Sequence, residues 1–422
     1  MSFARLRNLA FAYVALGLLP AALALSAPAL SAPQDQAPLA VAAEVKAEGP
    51  RTRLTFTLSE PVEARPFVLE RPDRVVVELP RVNFQLPPEA GRRREGLVAS
   101  FRYGLFAAGR SRVVIDLAQP ALVTRVEAAT RASDGAALLT VELTRTDRET
   151  FRRAARPEAP AALAAAAADP EATGSVASAD KRPLVVLDAG HGGIDPGAVA
   201  STGAFEKDIV FSFVERLRER LEATGRYRVL MTRDHDVFVP LDERVRMARA
   251  AKADLFISIH ADSISSAPHI RGGTVYTGAE RATDTESQNL AERENKADEV
   301  AGLVPRDTAN DVADILQELT LRETRGFSHR FAKRLLGKLD PVMTLSKKPH
   351  REAGFVVLRA PDVPSVLVEL GYLSSKRDID LLTSDAWRDR SAAAMTVAID
   401  QYFGTRVASQ GAESQGTAPV SP

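Results

Sequence analysis

The chain of 422 residues contains no cysteine. Disulfides, thiolate zinc sites and cysteine nucleophiles are therefore excluded together. It also lacks a charge excess of either sign, since 55 lysines and arginines face 55 aspartates and glutamates. A dedicated nucleic-acid binder carries a strong basic surplus, so that class is set aside. Histidine is scarce, with six residues at positions 191, 235, 260, 269, 329 and 350, and any imidazole chemistry is drawn from these. No HExxH helix, GxSxG elbow or GxxxxGK[ST] loop occurs, which removes the hydrolase and nucleotide-binding classes built on them.

Long apolar runs are equally rare, and the one that stands out lies at the start. Arg5 and Arg7 precede an uncharged, largely apolar stretch at 9–25, and small residues follow at 24–32. This order reads as a signal peptide over residues 1–32, removed on export. A retained anchor is the alternative, but the run is short for a membrane helix of about 20 residues and carries Pro20. The mature protein is expected to be exported, with no membrane anchor.

Residues 41–151 alternate apolar and polar side chains, as in Arg53-Leu54-Thr55-Phe56-Thr57-Leu58 and in the stretches 74–79, 111–117 and 137–143. Pro61, Pro72, Pro80, Gly91, Pro120 and Gly135 separate these runs. Short strands without helical period predict a small all-β antiparallel sandwich. It shows no catalytic constellation and reads as a binding module. Residues 154–181 are rich in Ala, Pro and Ser and read as a linker; residues 405–422 read as a polar, disordered tail.

Residues 182–404 behave differently. The apolar run Pro183-Leu184-Val185-Val186-Leu187 suits a buried parallel strand, followed by helical pattern at 207–223, a strand at 228–232, a helix at 241–251 and a strand at 255–259. A helix at 327–339 and a strand at 365–369 come later. This alternation predicts an α/β domain with a twisted, mostly parallel sheet and helices on both faces.

In such sheets functional groups gather beyond the carboxyl ends of the strands. His191 follows one strand, His260 follows another, Glu369 closes a third, and Glu206 opens the helix between the first two. Two imidazoles and a carboxylate match the ligand set of a catalytic zinc with its fourth position open to water, and an unliganded Glu369 could move the proton. Spacing alone leaves this open. A strand-end histidine is often a surface or core residue, and Glu206 would also suit a helix N-terminus electrostatically.

The residues around these groups carry a resemblance. Leu187-Asp188-Ala189-Gly190-His191-Gly192-Gly193-Ile194-Asp195-Pro196-Gly197-Ala198 resembles the opening motif of the zinc-dependent N-acetylmuramoyl-L-alanine amidases. Ser258-Ile259-His260-Ala261-Asp262 and Pro364-Ser365-Val366-Leu367-Val368-Glu369-Leu370-Gly371-Tyr372-Leu373-Ser374 are similar to two further motifs, as is Thr232-Arg233-Asp234 with Leu241-Asp242-Glu243-Arg244 downstream. Ser375 departs from the asparagine common in the family. The resemblance covers most of 182–404. It implies one Zn2+ held by His191, Glu206 and His260, Glu369 as the catalytic carboxylate, and cleavage of the amide between N-acetylmuramic acid and L-alanine in peptidoglycan. The front domain resembles the AMIN-like, non-catalytic module of such enzymes, which binds peptidoglycan and directs them to the division site. A periplasmic, septal location in a Gram-negative cell and a role in daughter-cell separation follow from the same resemblance. The other readings are a catalytically silent wall-binding scaffold and a zinc hydrolase acting on a different wall bond.

Between 278 and 325 lies an acidic stretch that the metal site does not need. Val312, Ile315, Leu316 and Leu319 give 311–321 helical spacing. In 287–301, Leu290, Ala297 and Ala301 form a stripe on which Glu294 falls, while Glu292 faces the polar side. A carboxylate on an inward face needs a partner: a nearby Arg or Lys, or the zinc's open position. Family members of the cell-division type carry an insertion that blocks the site until an activator displaces it. The resemblance thus implies a latent enzyme, braked by Glu294 and released by an activator of LytM type at the divisome.

Overall fold

A computed structural model describes residues 37–155, 180–264, 271–303 and 315–415, with the side chains of 315–318 and 405–415 outside the description. The predicted signal peptide lies outside the described residues, as do most of the linker and the start of the predicted 311–321 helix.

The front domain is all-β. One sheet runs β5(Asn83–Phe84), β1(Leu39–Glu48), β2(Arg51–Leu58), β9(Ala137–Arg145), β8(Ala121–Thr130); the other runs β3(Arg65–Leu69), β4(Arg74–Pro80), β7(Arg110–Leu117), β6(Val98–Ala107). Leu54, Phe56 and Val141 of the first sheet pack against Val75, Val77 and Ile115 of the second. The helix α1(Arg148–Ala154) closes the domain, capped by Asp147 and burying Phe151 in that core, where the sequence pattern reads as strand. Strict alternation holds in β2, whose burial switches residue by residue. It fails in β4 and β7. Val76 and Val114 point away from the sandwich core yet are fully buried, so these two strands are covered on both faces. The unbroken apolar runs Val75-Val76-Val77 and Val113-Val114-Ile115 are the signature of such double burial.

The second domain is α/β. Its sheet has the order β11(Arg228–Met231), β10(Leu184–Ala189), β12(Leu255–His260), β15(Ser365–Glu369), β13(Gly273–Gly278), β14(Leu345–Ala353). The first four are parallel, while β13 runs antiparallel to β15 and parallel to β14. On one face Val185, Leu187 and Ile257 pack against α2(Glu206–Ala223), α6(Ile315–Leu339) and α8(Asp385–Gln415). On the other, Leu184, Val186 and Phe256 pack against α3(Leu241–Ala250) and α4(Thr285–Glu294). Full burial of such Val, Leu and Ile side chains stabilises the fold by about 1.5–3 kcal/mol each.

Three local expectations are corrected. A helix expected to begin at Phe327 runs unbroken from Ile315, passing through Gly326, because packing of its later turns on the sheet sustains a helix that propensity alone would end. The stripe read through 287–301 is two helices, α4 and the single turn α5(Ala297–Val300), separated at Asn295 and Lys296. The expected tail is helical up to Gln415, continuous with α8. Short α7(Lys376–Leu382) starts at Ser375, whose hydroxyl accepts from the Asp378 N–H at 3.3 Å, so the departure from asparagine keeps a capping side chain. Among the described residues no helix is long and apolar enough to cross a membrane.

Candidate metal centre

The parallel strands deliver their side chains to one edge. β12 ends on His260 and β15 on Glu369, paired in register. One strand over, β10 ends at Ala189, and the chain turns through Gly190 to His191, which adopts φ +59°. Gly190 is required here, because a Cβ would lie 2.4 Å from the His260 ring. Two buried arginines hold the turn by its carbonyls. Arg244 donates to Ala189 O at 2.9 Å, to His191 O at 2.8 Å and to the Asp188 carboxylate at 2.7 Å. Arg233 donates to Ala189 O at 3.0 Å and Gly190 O at 3.1 Å. These bonds fix the left-handed His191 backbone, which would otherwise be strained.

Glu206 enters as the first residue of α2, fully buried. Its Oε1 lies 3.1 Å from His191 Nε2 and 3.2 Å from His260 Nδ1. Glu294 Oε2 lies 3.5 Å and 3.2 Å from the same two nitrogens. The contacts are short, yet neither nitrogen makes a hydrogen bond. Atoms that crowd one point without bonding to each other are arranged as ligands around a shared centre. Among the described residues, the cluster able to hold a metal ion is His191, His260 and Glu294; Glu206 Oε1 stands beside its two nitrogens without being part of it. Further contacts tie these side chains down. Glu206 Oε1 accepts from Ala261 N–H (2.8 Å) and Oε2 from Ala198 N–H (2.9 Å), and His191 Nδ1 lies 2.8 Å from Asp195 Oδ2. A carboxylate behind a histidine orients the ring and raises its basicity toward a metal.

The electrostatics follow from burial among charges. Burial opposes charge on His191, but Glu206, Asp195 and Glu294 outweigh it and raise the imidazole well above its ordinary value. Burial likewise opposes ionisation of Glu206, but His191 and His260 hold it well below the usual carboxylate range. Glu369 is pushed well above that range by burial and by the Asp262, Glu206 and Glu294 carboxylates. Its Oε2 accepts from the Asp262 N–H at 2.9 Å, whereas Oε1 has no partner.

The segment bearing Glu294 is held at several points. Asp284 caps α4, and Arg351 pairs with Glu286 at 2.9 Å. Arg293 bonds the Asp262 carboxylate beside Glu369. Asn295 donates to Gly354 O (2.9 Å) and accepts from Val356 N–H (2.8 Å). Burial pushes Glu294 up to about 7 against the pull of His260 and His191.

All five residues singled out in the sequence, His191, Glu206, His260, Glu294 and Glu369, are thus brought together. Sequence reasoning missed the parts played by Asp195, Asp188, Asp262, Arg233 and Arg244, although each lies inside a quoted motif. The signal for Asp195 was its place four residues after His191. The other histidines lie elsewhere: His235 is exposed beside Asp234, His329 pairs with Glu352 at 2.9 Å, His350 meets Thr277 at 3.1 Å, and His269 is outside the described residues.

Comparison with known proteins adds the following. The N-acetylmuramoyl-L-alanine amidase family model matches residues 185–401, and that of the AMIN domain matches 42–143. The chain is 40% identical over 232 residues to the N-acetylmuramoyl-L-alanine amidase AmiC of Neisseria meningitidis, covering 55% of each chain. It is 37% identical over 226 residues to AmiC of Escherichia coli O6:H1, covering 53% of each. To AmiA of Escherichia coli K12 it is 38% identical over 221 residues, 52% of this chain and 76% of that one. The chain spans about half the length of the two AmiC relatives it matches.

Proposed function

The chain belongs to the N-acetylmuramoyl-L-alanine amidase family, and from that premise we propose that it hydrolyses the amide joining N-acetylmuramic acid to L-alanine in peptidoglycan, with one Zn2+. The observation that carries this reading is the pair of partnerless nitrogens, His191 Nε2 and His260 Nδ1, converging with Glu206 Oε1. Imidazole and carboxylate donors in that number suit zinc. Zinc bound there would polarise the scissile carbonyl and bring the pKa of a water toward about 7. The chain's own residues do the rest. Asp195 orients His191, and the Asp262 N–H fixes Glu369 by one oxygen. The free Oε1 of Glu369 takes the proton of the attacking water and returns it to the departing α-amine.

Glu294 lies where a substrate carbonyl would approach, so the enzyme is latent, and an activator protein of LytM type at the divisome frees the site by drawing α4 away. Residues 1–32 direct export to the periplasm and are removed, 41–151 bind peptidoglycan at the septum, 154–181 link the domains, and 182–404 carry out cleavage for daughter-cell separation. The test is mass spectrometry of purified peptidoglycan incubated with the zinc-loaded full chain carrying Glu294→Ala. Stem peptides with a free L-alanine amine are expected, at a rate above that of the unsubstituted chain. No release from a folded, zinc-loaded protein would refute the amidase reading, and equal release from both would refute the brake.

A further inference from the structure

The segment that carries Glu294 continues beyond the metal centre. Past Asn295 it turns through α5 and runs to Leu303 along the outer face of β4 and β7 in the front domain. There Arg112, only 1% exposed, donates through Nη1 to the carbonyls of Ala301 (3.1 Å) and Gly302 (3.4 Å). Its other nitrogens are tied to Glu78 Oε1 at 3.1 and 2.6 Å, and its guanidinium lies 3.5 Å from the centre of the Phe106 ring. Arg74 donates to the carbonyl of Glu299. These carbonyls lie at and just past the end of α5, where the helix supplies few donors of its own, and that of Glu299 also accepts from the Gly302 N–H at 2.9 Å. The apolar atoms match as well. Ala301 and Leu303 are enclosed in one cluster with Val76, Val114 and Phe106, and a Cβ on Gly302 would stand 3.0 Å from Val76. The same sheet also touches the loop behind His191: Leu105 O accepts from the Phe238 N–H at 3.2 Å, and a Cβ on Gly104 would fall 2.5 Å from the Gly193 carbonyl carbon.

We propose that the outer face of the β3-β4-β7-β6 sheet is a docking surface whose occupant is this chain's own segment 297–303, so that the front domain clamps the brake shut. This deepens the brake reading of Glu294 and rests on it. The physical case is that Val76 and Val114 would be exposed, and the two arginines would lose backbone acceptors, if the segment left. Each is a cost that favours the closed arrangement. Release of the site therefore requires the front domain to give up 297–303 as well as the catalytic domain to give up Glu294. A domain that binds the wall also holds the enzyme latent.

The test uses the zinc-loaded full chain and dye-labelled peptidoglycan sacculi. Arg112→Met keeps the stem and removes the donors; Leu303→Ser empties the apolar seat from the brake's side and decides the matter if Arg112→Met does not fold. Each is expected to raise basal dye release about tenfold, equivalent to about 1.4 kcal/mol, to speed hydrogen exchange of the 297–303 amides, and to leave zinc content unchanged. Adding Glu294→Ala to either should raise release little further. If Glu294→Ala alone raises release while both clamp variants, folded, release dye at the unsubstituted rate, the clamp is overturned and the brake stands. If Glu294→Ala alone changes nothing, the brake reading fails. Unaltered exchange at 297–303 in both clamp variants would by itself overturn the docking surface.

Discussion

Two places in this molecule bury charged groups against the same short segment, and they use those charges differently. At the carboxyl edge of the catalytic sheet, His191 Nε2, His260 Nδ1 and Glu369 Oε1 have no hydrogen-bond partner. On the outer face of the front domain, Arg112 and Arg74 donate to Glu78 and to three backbone carbonyls of the segment. Buried polar groups in native structures are ordinarily satisfied. Unspent groups gathered at one point therefore mark a place that something else completes, whereas spent ones mark a fitted contact. The difference separates chemistry from docking without reference to sequence motifs.

The sharpest way to break this contrast is at Glu369. Glu369→Gln keeps an oxygen for the Asp262 N–H but cannot carry the proton. Peptide release by the Glu294→Ala chain should fall by about 10²–10⁴-fold, with zinc content unaltered, as measured by mass spectrometry and metal analysis. Release within tenfold of the parent would show that the free oxygen is not used. A smaller effect is expected at Asp195, the group behind His191. Asp195→Ala should weaken zinc binding about 10–100-fold, read by competition against a chelating dye; unchanged affinity would mean that Asp195 does not tune His191 as a metal ligand.

The smallest effect concerns Asp298, which sits between the two places and accepts from the Leu241 N–H at 3.1 Å. Burial, reinforced by Asp242, pushes it up to about 6. Its folded value lies above the unfolded one of about 3.9, so its contribution to stability is complete below about pH 4 and is lost as pH rises to about 6. Melting temperature should fall over that interval, in the same sense as the raised carboxyls of Glu294 and Glu369 dictate, and Asp298→Asn should flatten part of the slope. An identical slope in the variant would place the titration elsewhere.

Legibility followed burial. β10, β12 and β15 were readable because strands covered on both faces form unbroken apolar runs. β14, with Lys347, Lys348, Pro349 and His350, lies at the sheet edge and offers no such run, so neither it nor its neighbour β13 was anticipated. The same rule holds in β4 and β7, where three successive apolar residues mark a covered outer face that simple alternation does not reveal. In the site, His191 and His260 stood out as rare residues at strand ends, and Glu294 as a charge on an apolar stripe. Arg233 and Arg244 gave no such signal. An arginine just after an edge strand or near a helix start usually faces solvent, and what buries these two is a turn of backbone from another strand.

The sequence by itself determined the two fold classes, the strand ends where function gathers and the chemical nature of the groups there, because periodicity, capping and residue type act over a few neighbouring positions. Only the tertiary structure decided which carbonyls the arginines hold, that Glu294 meets both histidines, and that the front domain closes on the segment bearing it. Arg112 and Ala301 are 189 positions apart. A contact over that distance depends on how two finished surfaces fit, and no local pattern encodes it.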